Sequence, residues 1–166
     1  MLKFVYTIFV GILIVTFIGL GIDAFYPGPI MPDYTQTKDY YAPVGLRGEE
    51  PTLTDEEITQ MNEEQQTYDK QYQIYSEQLK TYNRDVSIIA LIGAIIILAA
   101  SILFEKQLKI IADGMIFGGV LTLSYSIIRG FSAGDDIFRF IVVAIGLTVS
   151  LALGYIKFIK PQQTIQ

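Results

Sequence analysis

Cysteine, histidine and tryptophan are all missing from this chain. Without Cys there is no disulfide, no thiol chemistry and no attachment point for a lipoprotein anchor. With His missing as well, the usual ligands of zinc, haem, copper and iron–sulfur centres are gone, and so are the common nucleophile–base pairs of enzymes. No catalytic residue, no metal ligand set and no cofactor is therefore read from the sequence. A carboxylate-only cation site is weakly supported, because Asp135-Asp136, the adjacent acidic pair beside a turn, lacks the regular spacing of a metal loop. Charge is scarce too. At 17% charged and 51% hydrophobic, the 166 residues carry too much apolar surface for an ordinary soluble domain.

The apolar excess is concentrated in four runs, residues 4–22, 86–104, 108–128 and 137–158. Each spans about 20 residues, or about 30 Å as a helix, which matches the hydrocarbon core of a bilayer. The expected fold is an all-α integral membrane protein built as a four-helix transmembrane bundle. Its segments are a first transmembrane helix within 1–22, a Pro- and Tyr-rich extracytoplasmic arm over 23–53, and a helix over 54–85 continuous with the second transmembrane helix at 86–104. The third and fourth transmembrane helices follow at 108–128 and 137–158, and a cytoplasmic tail occupies 159–166. Lys3 gives the first run a positive start, as in a targeting signal. The run is long for such a signal, however, and only the poor cleavage candidate Gly21-Ile22-Asp23-Ala24 precedes Tyr26, so an uncleaved anchor is expected.

The most informative stretch is the polar one before the second run. Ile58, Met61, Gln65, Tyr68, Tyr72, Tyr75, Leu79, Tyr82 and Val86 follow one another in alternating steps of three and four. That is the 3.5-residue repeat of a packed helical seam, and neither proline nor glycine interrupts the chain from Thr54 until Gly93. Thr54-Asp55-Glu56-Glu57 reads as a capping box at the start of this helix. A seam of Tyr rather than Leu brings hydroxyls that need water or a polar partner, which favours an irregular covering over a tight symmetric coil. The expected packing residues of this stalk are Met61, Tyr68, Tyr72, Tyr75, Leu79 and Tyr82, covered by the chain's own arm, by a second copy or by another membrane or envelope protein.

Lys and Arg near the ends of the runs set an orientation. Lys3, Lys106, Lys109, Lys157 and Lys160 fall on one side. Residues 23–85 fall on the other, with 13 acidic and 5 basic residues and a net charge of −8. Both termini are thus expected in the cytoplasm and the protein in the plasma (inner) membrane as a multi-pass chain. The acidic outer face makes nucleic acid an unsuitable partner, and the bilayer itself is the first partner.

Small residues mark helix contacts: Gly114-x-x-x-Gly118 in the third run, and Gly146, Ser150 and Gly154 at four-residue steps in the fourth. Between these runs, Arg129, Asp135, Asp136 and Arg139 are expected to anchor the outer boundary, with Asp135 or Asp136 capping the fourth helix and Arg139 pairing with either. Asp113 is expected to pair with Lys109 one turn away. The order of one large and one small outer loop resembles claudins and tetraspanins in topology, but their cysteines and tryptophan-centred motifs are absent and no function is carried over. The run centres hold no ionisable group, which argues against proton-driven export of the kind performed by small four-span multidrug transporters. The expected function is a non-enzymatic membrane scaffold or accessory subunit presenting the tyrosine-lined stalk. The alternative is a subunit of an oligomeric transporter or channel with an acidic outer vestibule.

Overall fold

A computed structural model describes residues 1–33 and 55–159. Its described residues form helix α1 (Leu2–Phe25), helix α2 (Asp55–Phe104), helix α3 (Lys109–Phe131) and helix α4 (Asp136–Gly154), followed by a π-helical turn (Tyr155–Ile159). All four helices contain a segment long and apolar enough to cross a membrane. The expected capping residue Thr54 and the expected docking of the arm over 34–53 lie outside the described residues.

The chain divides into two compact units, one holding residues 1–28 and the chain from Lys80 onward, the other holding residues 29–79. In the first unit α3 is the central helix. It meets α1 through Gly114 and Gly118, α2 through Gly119 against Leu98, and α4 through Leu123 and Ile127 against Gly146. A Cβ on Gly118 would lie 2.9 Å from Ile14 Cβ and 3.0 Å from the Gly11 carbonyl oxygen, so the two backbones approach at a distance that only glycine allows.

Side chains are sorted by size in a way that suits a hydrocarbon solvent. The fully buried positions are small or short and β-branched: Val86, Ser87, Ala90, Ala94, Ser101, Ala112, Thr122 and Ser126. The outward ones are large, among them Phe4, Phe9, Phe17, Leu103, Phe140 and Leu151. Leaving those six in water would cost about 9–18 kcal/mol, comparable with the whole stability of a typical domain, about 5–15 kcal/mol. Against lipid tails that cost disappears, and close contact between small residues becomes the main source of helix association. The buried hydroxyls are satisfied. Ser87 donates to the Ser126 carbonyl at 2.8 Å and Ser126 donates to the Ser87 carbonyl at 2.7 Å, a reciprocal clasp between α2 and α3. Thr122 donates back to Gly118 O and Ser101 to Leu98 O within their own helices.

The second unit contains residues 55–79 of α2, about 37 Å of helix at 1.5 Å per residue. Local bonds support it: Thr67 donates to Glu63 O, and Gln65 donates to Asp69 one turn on.

Candidate functional site

Aromatic and charged side chains converge at the end of the first unit where α1 stops and α2 enters its apolar segment. α1 ends at Phe25 because Tyr26 leaves the helical region, at φ −136°, and Pro27 has no N–H with which to continue it. This exit places the Tyr26 ring on Tyr82, stacked at 5.5 Å with 6° between the planes, and Gly28 lies against the same ring. Tyr82 is buried. From the last turn of α3, Arg129 donates from Nη1 to Asn83 Oδ1 at 2.9 Å and from Nε to the Tyr125 hydroxyl at 3.0 Å. Its guanidinium carbon lies 5.8 Å from the Tyr82 ring centroid and 5.4 Å from that of Tyr125, within cation–π range of both. One arginine thus holds α2 and α3 together through a buried amide and two rings.

The Tyr26 hydroxyl donates to Asp85 Oδ2 at 2.8 Å. That bond to a carboxylate, first among its influences, raises the Tyr26 pKa above the ordinary tyrosine value. A raised folded-state pKa means that the neutral phenol is the favoured form. The contact is complete below the ordinary tyrosine range near 10 and is lost as pH climbs through the raised value. With ring-labelled tyrosine and Tyr26→Phe for assignment, NMR titration should show Tyr26 ionising at lower pH in Asp85→Asn than in the wild type. An unchanged midpoint would show that Asp85 is not its effective partner.

In the second unit the tyrosines form a row. Tyr68 and Tyr72 have ring centroids 6.1 Å apart, as do Tyr72 and Tyr75. Tyr72 is 45% exposed, while Met61, Tyr68, Tyr75 and Leu79 are half-buried.

The boundary residues divide their work. Asp135 caps α4, accepting from the amides of Ile137 at 2.9 Å and Phe138 at 3.2 Å. Asp136 takes the ion pair, 2.9 Å from Arg139 Nη1. Arg139 also donates from Nε to the Phe131 carbonyl at 3.0 Å, so it ties the C-terminal end of α3 to the first turn of α4. Arg129 finds Asn83 and Tyr125 rather than an acid, and Asp85 belongs to Tyr26 and, at 3.6 Å, to Arg84.

Of the small residues in the fourth run, Gly146 is buried against α3, whereas Ser150 is exposed and Gly154 faces open space. Both of the latter line a cleft of about 580 Å³ whose wall also includes Asp113 and Lys157. Lys157, carried on the π-helical turn, reaches Asp113 Oδ1 at 2.7 Å and Glu105 Oε1 at 3.2 Å. The expected pairing of Asp113 with Lys109 is thus replaced by one across the α3–α4 interface, with a second carboxylate from the α2–α3 connection. Lys157 is mostly buried, its side chain 18% exposed, but the carboxylates are about a third exposed, so solvent screening limits the gain. A double-mutant cycle of Lys157→Met and Asp113→Asn should give a coupling of about 1–2 kcal/mol. Strict additivity would make the contact energetically silent.

Sequence reading missed the Ser87–Ser126 clasp, the Lys157 bridge and the role of Asn83, because each joins residues distant along the chain through side chains unremarkable in their own segments. A signal for Asn83 did exist: it neighbours Tyr82 on the seam at the point where the chain turns apolar. Among the described residues, no group of three or more acidic side chains is placed to hold a metal ion. No protein-family model matches the chain, and no curated protein or solved structure matches it either.

Proposed function

We propose that the chain is a non-enzymatic scaffold or accessory subunit of a plasma (inner) membrane. In this reading it crosses the bilayer four times with both termini cytoplasmic, and α2 presents a tyrosine face on the outer side. That face packs with another membrane or envelope protein, with a second copy or with the chain's own arm. The observation that carries the reading is the row of Tyr72 and Tyr75, rings in contact and Tyr72 nearly half exposed, on a helix segment whose other surface is polar apart from the exposed Ile74. Tyrosine suits such a surface because it adds a large apolar area at little conformational cost and keeps a hydroxyl for a polar partner. The orientation is supported by the lysines Lys3, Lys106 and Lys109 at one set of helix ends and the net −8 of residues 23–85 beyond the other.

Photo-crosslinking from benzophenone placed at Tyr72 or Tyr75 in intact membranes tests the face. The expected product is an adduct to a discrete protein, to a second copy or to residues 34–53. Yields no higher than from the same probe at the exposed, off-row Gln73 would remove the proposed role. The absence of native cysteine makes orientation directly testable. A membrane-impermeant maleimide should label Ser132→Cys in whole cells and leave Lys106→Cys unlabelled until the membrane is opened; the reverse pattern would invert the topology.

The second reading, a subunit of an oligomeric transporter or channel with an acidic outer vestibule, is supported by the net −8 of residues 23–85, which would concentrate cations. It requires an ion flux from purified protein in liposomes that responds to neutralising acidic residues within 23–85, and silence across pH and voltage would dismiss it.

A further inference from the structure

The apolar groove between the first turns of α1 and the start of α3 has a volume of about 920 Å³. Its walls combine large apolar side chains, including Val5, Phe9 and Ile110, with two lysines, Lys3 and Lys109. Among the described residues no carboxylate lines it. Among the described residues neither lysine has an ion-pair partner, although Lys157, at the same ends of the helices, has two. The first turn of α3 forms part of the wall, holds no acidic residue and has no side-chain cap, so its backbone amides add to the positive sign. Apolar walls with cationic side chains at one end match an amphiphile that has an anionic head and hydrocarbon tails.

We infer that this groove is a binding site for an anionic phospholipid, its phosphodiester held by Lys3 and Lys109 and an acyl chain lying along Val5, Phe9 and Ile110. The chemistry argues for a lipid over a free anion. Two exposed ammonium groups in water hold a small phosphate weakly, whereas an acyl chain fills apolar volume that no inorganic ion occupies. Basic pockets between membrane helices select acidic head groups for the same electrostatic reason. The inference rests on α1 and α3 spanning the membrane, with these ends at the head-group level.

The test uses the full chain in mild detergent, titrated with phosphatidylglycerol or with phosphatidylcholine of the same acyl chains and read by native mass spectrometry. Phosphatidylglycerol adducts should be favoured on the order of tenfold. Lys3→Gln/Lys109→Gln should lose the preference, and the charge-matched Lys70→Gln/Lys80→Gln should keep it. Millimolar inorganic phosphate should not displace the lipid. Equal retention of the two lipids, equal loss in both double variants, or displacement by phosphate would each overturn the site, as would a dimer that forms on this face and excludes lipid. Resistance of the protein to alkaline carbonate extraction separates the two levels: failure there sinks the membrane reading itself, while a resistant protein without lipid preference sinks only the site.

Discussion

Gly118→Leu is expected to abolish the folded state in mild detergent, and Gly19→Leu to leave it intact or slightly stabilised; that pair of outcomes follows from what each new side chain would meet. At Gly118 the first added carbon already lies 2.9 Å from Ile14 Cβ and 3.0 Å from a backbone oxygen of α1. Flexible side-chain ends can give way, but a helix backbone cannot, so α1 must move off α3. Overpacking ordinarily costs about 1–3 kcal/mol. Here it also opens the neighbouring approach of Gly114 to Val10 and Thr7, so a loss above about 3 kcal/mol is expected. At Gly19 nothing lies within 4 Å, and replacing glycine in a helix interior gains up to about 1 kcal/mol of propensity. Size-exclusion chromatography and thermal circular dichroism distinguish the two. A Gly118→Leu protein that stays monodisperse and melts like wild type would mean that α1 is not held to α3 through this stripe.

The difference between those two glycines also shows where sequence reading reaches its limit. The spacing Gly114-x-x-x-Gly118 marked Gly118 as a contact and nothing comparable marked Gly19, but that spacing does not say which helix Gly118 meets. The number of long apolar helices was legible because span length is dictated by bilayer thickness and is written in contiguous composition. The choice of α3 as the central helix was not, because all four runs contain small residues and the decisive quantity is which stripes face each other. The same limit explains Asp113. Lys109 stands one turn away and satisfies the usual helix rule, yet Lys157 takes the contact, delivered by a π-helical turn that no local pattern announced. In the fourth run the four-residue spacing of Gly146, Ser150 and Gly154 suggested one packing face. Gly146 is packed against Ile127 and Leu123 of α3, while Ser150 and Gly154 border the cleft.

The tyrosine seam separates along similar lines. Its periodicity depends only on helix geometry, and α2 is helical throughout, from Asp55 to Phe104. What covers each ring depends on other parts of the chain. Tyr82 is covered because the first residues after α1 are held beside it by the Tyr26–Asp85 bond and by a proline that stops the helix. Tyr72, in the second unit, is nearly half exposed. A regular repeat therefore carries two kinds of position, one buried and one nearly half exposed, and the repeat alone does not distinguish them.

Arg129→Met is expected to cost about 2–4 kcal/mol, the largest single loss among the charged residues, from two hydrogen bonds and two cation–π contacts failing together. Removing the guanidinium leaves the Asn83 amide oxygen without its donor in a position only 5% exposed, deprives the Tyr125 hydroxyl of a bond and strips two rings of their cation. A buried acceptor left without a donor bears its full desolvation penalty, which is why the loss exceeds the value of one hydrogen bond. Arg129→Lys should recover less than half of it. An ammonium cannot reach an amide and a hydroxyl from one planar fork while lying over two rings. Arg84→Met supplies the contrast: its side chain is 52% exposed and its contact with Asp85 is 3.6 Å, so a change within about 0.5 kcal/mol is expected. Reversible denaturation in mixed micelles, followed by circular dichroism, gives the three values on one scale. If Arg129→Met matched Arg84→Met, the α2–α3 junction would depend on the Ser87–Ser126 clasp and small-residue packing alone. If Lys at position 129 restored full stability, a bare positive charge would suffice and the fork geometry would be incidental.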